Sequence, residues 1–185
     1  MVTEEKVREI LNKPVLAQGI EKYKYIMNKV WDVDVSKIVE FQNKFRDFYQ
    51  LRRFYSDEFA DTYFSLMEQL KSSKTISFEM AFERVKHIQG TYEISFSSKL
   101  AHTLDSSIPV WDSVVTTKHF GIKAPIGTKD KEQKIVERYG MYFDKYYEYM
   151  RSEEGQMLIQ MFDFAFPDSC ISDVKKVDFI LWQDR

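Results

Sequence analysis

The chain has 185 residues, 44% hydrophobic and 30% charged, which is enough apolar surface for a sizeable core and excludes global disorder. Only 6 Gly and 4 Pro punctuate it, too few for a sandwich or barrel of many short strands, so the composition points to helices. With 27 Lys and Arg against 29 Asp and Glu the net charge is -2, so nucleic-acid binding by electrostatics needs a local basic patch.

Cys170 stands alone, which excludes an intrachain disulfide and any zinc or iron-sulfur site built from several thiolates. The N-terminus carries charges where a signal peptide needs an apolar run, and no stretch approaches the roughly 20 apolar residues of a membrane span. The expectation is a soluble cytoplasmic protein with no membrane partner.

Helical periodicity divides the chain into about ten segments. Glu4 to Asn12 forms a short helix stopped by Pro14, and Val15 to Trp31 follows with Ile20, Tyr23, Ile26, Met27 and Val30 on one face. Asp34 or Ser36 is expected to cap the next helix, which carries Phe41, Phe45 and Phe48. Arg52 and Arg53 lead into a turn, and Ser56 caps a helix with Asp57 and Glu58 in its first turn and Tyr63, Met67 and Leu70 on its buried face. A polar loop, Lys71 to Lys74, precedes a helix through Phe78, Phe82 and Val85 that ends at Gly90.

Thr91 to Phe96 reads as a structured connection, after which Ser97 or Ser98 caps a helix that stops before Pro109. Asp112 caps a helix ended by Gly121, and the longest helix starts at Thr128 and runs from Asp130 to Arg151 with a broad aromatic band. Ser152 and Ser172 cap the last two.

The most informative residues are Ser95-Phe96-Ser97-Ser98-Lys99-Leu100-Ala101-His102, followed by Ile108-Pro109-Val110-Trp111-Asp112-Ser113-Val114-Val115. They resemble the helix-hairpin-helix DNA glycosylase superfamily, in which a G-V-G-x-K hairpin opens a helix and a P-[VI]-x-D-x-x-V segment delivers a catalytic Asp. The resemblance spans residues 95 to 117. It implies an all-α, two-lobed fold, with a central lobe of about 34–120 and a second lobe from 1–33 plus 121–185, and a cleft holding Lys99 and Asp112. It implies base excision acting on double-stranded DNA. Asp112 would stabilise the cationic sugar or activate the nucleophile, and Lys99 would attack the sugar as a neutral amine. Ser97 and Ser98 would lie in the DNA-binding hairpin, and no cofactor is implied. The alternative is a non-catalytic domain of the same architecture that binds nucleic acid or a protein.

Plainer roles stand beside these. Asp112 is an ordinary N-cap worth about 1 kcal/mol. Lys99 in a first helical turn is usually solvated, and His102 on the same face is usually a hydrogen-bonded structural residue. Lys118, Lys123, Lys129, Lys131 and Lys134 form the best basic patch, fit either to follow a phosphate backbone or to be a solvated loop and helix start, and Arg52 and Arg53 pose the same choice. Core packing is the first explanation of the band from Tyr139 to Tyr149, which has more hydroxyls than a dry core needs and so is also fit to border a cleft where a flipped base stacks. His87, His102 and His119 lack metal-site spacing, and no metal is expected.

Overall fold

The computed structural model describes residues 2–51, 56–127 and 129–184, and among these the regular structure is all helical, in ten helices. Arg52, Arg53 and Thr128 lie outside the described residues. None of the described helices is long and apolar enough to cross a membrane.

Local chemistry sets most of the boundaries. Side chains accept the free amides at the starts of α1 (Glu4–Leu11; Thr3), α4 (Asp57–Leu70; Ser56) and α5 (Phe78–Gln89; Ser77). The same holds for α9 (Glu153–Ala165; Ser152) and α10 (Asp173–Gln183; Ser172). Each cap contributes about 1 kcal/mol. Gly90 closes α5 at φ 72°, a left-handed conformation that favours glycine. α2 (Pro14–Asp32) begins on a proline, whose missing N–H costs nothing in a first turn.

Three boundaries differ from the sequence expectation. α3 (Val39–Phe48) has Ile38 at its cap position with no side-chain bond, because Asp34 instead accepts the Ser36 amide and hydroxyl in the preceding turn. α8 (Lys131–Arg151) follows Asp130, which sits in a left-handed conformation. The largest difference is α6 (Ile94–Leu104), which starts ahead of Ser97 and Ser98, so neither caps it. Phe96 to Leu104 are all buried, and the aromatic core of their own unit explains why. Phe96 meets Phe59 edge-on at 5.3 Å and Tyr63 at 5.6 Å, drawing this segment inward as helix.

The chain divides into two compact units, one of Met1–Ala17 with Ser106–Arg185 and the other of Gln18–Asp105. These limits replace the expected lobes of 34–120 and the remainder. The segment after Ser106 belongs with the C-terminal helices because its carbonyls are bonded to them: Ser172 Oγ donates to Ser106 O, and α8 tyrosines donate to Ser107, Pro109 and Val110.

In the Gln18–Asp105 unit, α5 packs on α4 and α6 around a cluster in which Phe64 meets Phe41, Phe45 and Tyr63 edge-on. In the other unit α10 packs against α1, α8, α9 and the short α7 (Ser113–Lys118).

Candidate functional site

α6 carries the first group of expected site residues, and it carries them inward. Ser97 Oγ donates to Glu93 O at 2.7 Å and Ser98 Oγ to Ser95 O at 3.1 Å, both from fully buried residues. A serine that returns its proton to its own helix and has no exposed surface offers nothing to a phosphate. The hairpin expected at residues 95–98 is therefore replaced by helix, and the turn between α5 and α6 falls earlier, from Gly90 to Glu93.

Lys99 lies in the second turn of α6 instead of the first, 8% exposed, with Nζ 5.7 Å from the centre of the Tyr49 ring. His102, one turn further, is fully buried, and its Nε2 is 2.9 Å from the Tyr23 hydroxyl. Thr103 Oγ1 donates to Lys99 O at 2.7 Å, and Tyr63 donates to Phe96 O at 2.9 Å. The polar atoms of this buried helix are held partly by its own carbonyls and partly by its neighbours, and among the described residues no buried side-chain N or O lacks a hydrogen-bond partner.

Asp112 presents a different picture. It is half-buried, and its Oδ1 accepts the amides of Val114 at 2.8 Å and Val115 at 3.3 Å, which makes it the N-cap of α7. Oδ2 accepts no hydrogen bond from any described residue. Oδ1 thus fixes the carboxylate, and Oδ2 is uncommitted among the described residues.

The loop that delivers Asp112 is clamped along its length. Tyr147 donates to Ser107 O at 2.7 Å, Tyr139 to Pro109 O at 2.6 Å and Tyr142 to Val110 O at 3.0 Å. Trp111 is buried, and its ring meets Tyr142 edge-on at 5.5 Å. Burial, with the negative charge of Asp178, pushes the Tyr142 and Tyr146 hydroxyls well above their ordinary range, so both stay protonated donors. Tyr139, Tyr142, Tyr146 and Tyr147 of the hydroxyl-rich band thus clamp carbonyls, with the first three packed in the core, while Tyr149 donates to Glu154 Oε1. Tyr146 donates to Val174 O, which ties α8 to α10. These positioning residues could not be paired with their carbonyls from sequence, since 28 to 40 positions separate the partners.

Of the expected DNA-binding lysines, Lys118 at the end of α7 is bound to Asp184, with Nζ 3.0 Å from Oδ2. Lys123 and Lys129 are exposed, and Lys134 Nζ donates to Lys129 O at 2.9 Å. Lys99 and Asp112 belong to different units. Among the described residues no three His, Cys, Asp or Glu side chains group as metal ligands.

His119 closes α7, its Nε2 3.2 Å from Leu181 O and 3.8 Å from Asp184. Burial lowers its pKa below the ordinary 6.5, against the opposing pull of Asp184. The unfolded chain therefore takes up a proton before the folded chain does, so stability is lost as pH falls below 6.5 toward the folded value and is fully present above 6.5. Urea unfolding at pH 7.5 and 5.5 is expected to show a drop in stability that shrinks in His119→Gln; an unchanged drop would assign it to other groups.

No family model, curated protein or solved structure matches the chain. The resemblance therefore rests on the residues themselves.

Proposed function

We propose that the protein is a base-excision N-glycosylase acting on a damaged or modified base in double-stranded DNA, with Asp112 as its catalytic carboxylate. The observation that supports this reading is the division of labour within Asp112: Oδ1 is fixed by two α7 amides while Oδ2 is uncommitted among the described residues. A carboxylate held in one orientation can stabilise charge that develops in front of it without reorganising during the reaction.

In the reaction the base departs with the electron pair of the N-glycosidic bond, leaving positive charge on the sugar. Oδ2 stabilises that charge and accepts a proton from the water that adds to the anomeric carbon, giving a free base and an abasic sugar. Lys99 is 8% exposed, so the activity proposed is hydrolysis through Asp112.

The test is single-turnover base release from duplexes carrying oxidised, alkylated or deaminated bases. Release from one class is expected, slowed by about 100-fold or more in Asp112→Asn. Asn is as good an N-cap as Asp, so the variant removes charge and keeps the helix start. Release by neither protein from any duplex would overturn the assignment.

A second reading, a non-catalytic domain that binds nucleic acid or a protein, draws support from the burial of Ser97 and Ser98, which removes the expected phosphate contacts. It requires binding without release and no dependence on Asp112.

A further inference from the structure

α9 is apolar on two faces. Leu158, Ile159 and Phe162 are buried, which satisfies the first. Met161, Phe164 and Ala165 repeat at the i, i+3, i+4 spacing of a second stripe, and Phe164 is 91% exposed. A surface helix has no structural use for a second stripe unless something covers it.

That stripe forms one wall of a groove of about 750 Å³. The end of α1 and the start of α2 supply the opposite wall through Leu11, Pro14 and Ala17, and Phe166 adds to the α9 side. All of these residues lie in one unit of the chain. The charged residues that line the groove are Arg8 and Lys13, with no Asp or Glu among them, a local inversion in a chain of net charge -2. Both cations are available. Arg8 is 3.5 Å from Glu4 with both side chains largely exposed, a weak pairing, and Lys13 Nζ is 3.5 Å from Gln183 O.

We propose that this groove docks an acidic amphipathic helix of a partner protein, its apolar face on the Phe164 stripe and its carboxylates on Arg8 and Lys13. Charge complementarity selects an acidic partner. The walls select a helix, because the groove offers no sheet edge to pair an extended backbone, whereas a helix satisfies its own. The site is separate from Asp112 and independent of the glycosylase reading.

A displayed library of random 16-residue peptides, selected on the full chain, tests this directly. Enriched peptides should place apolar residues at i, i+3, i+4 and i+7 beside Asp or Glu. A synthetic copy should bind about 10-fold more weakly to Phe164→Ala and to the double variant Arg8→Ala/Lys13→Ala. Those side chains are exposed or at the rim, and unchanged urea midpoints will establish that the variants fold. Enrichment of peptides lacking either feature, no enrichment, or equal binding to the variants overturns the proposal. So does stoichiometric binding of laurate without peptide binding, which would make the groove a site for small anionic amphiphiles. Sedimentation showing a dimer that dissolves in Phe164→Ala would make it a self-interface and overturn the proposal too.

Discussion

Binding to a duplex in which a cationic pyrrolidine replaces one nucleotide's sugar is expected to exceed binding to undamaged duplex by about 100-fold at the same salt, or about 2.7 kcal/mol. The pyrrolidine nitrogen mimics the charge on the sugar as the bond breaks, and a site built for that charge binds its mimic more tightly than the ground state. Oδ2 of Asp112 provides the opposite charge while Oδ1 holds the side chain in place. In Asp112→Asn the preference should collapse toward unity. Binding to undamaged duplex should be unchanged, because phosphate contacts are independent of this carboxylate. The comparison uses one salt concentration, since counterion release would otherwise shift both affinities. Equal, weak binding of both duplexes by the wild-type protein would contradict the excision reading.

The largest expected stability effect lies in α10. Lys175 Nζ is 2.6 Å from Asp178 Oδ2 with the two side chains 4% and 9% exposed, and Lys175 also stands 5.0 Å from the centre of the Phe179 ring. Two charges this far from water offset each other's desolvation by pairing. Asp178→Ala is therefore expected to lower the unfolding free energy by about 3–5 kcal/mol, measured in urea. For a chain of this size that is a fall in Tm on the order of 10 °C. Replacing both residues at once, Lys175→Met with Asp178→Leu, should recover most of the loss, since two apolar side chains do not leave a charge behind. A loss under about 1 kcal/mol in the single variant, or a double variant as damaged as the single, would show that the pair is not the desolvated couple its burial indicates.

Features whose partners lie within a few residues were legible in the sequence. Ser56, Asp112, Ser152 and Ser172 cap the helices expected of them because each bonds an amide two or three positions ahead. Gly90 ends α5 for an equally local reason. The start of α6 was not legible. From Phe96 to Leu104 its residues are all buried, so no polar face marks its periodicity, and Phe96 is drawn inward by Phe59 and Tyr63, more than 30 positions earlier. Asp112 itself was visible as a cap, but the clamp around it was not. The excess of tyrosine hydroxyls in α8 was the available signal, and only folding reveals that they donate to Ser107, Pro109, Val110 and Val174. The same holds for Lys175 and Asp178, whose spacing suggests an ordinary surface pair until their burial is known.

The most direct measurement is a crystal structure of the protein bound to the pyrrolidine duplex. The expected result is the pyrrolidine nitrogen within ion-pair distance, about 4 Å, of Asp112 Oδ2, with Oδ1 still accepting the Val114 and Val115 amides. A duplex bound elsewhere, with the nitrogen in solvent and Asp112 serving α7 alone, would contradict the assignment of Asp112 as the catalytic carboxylate.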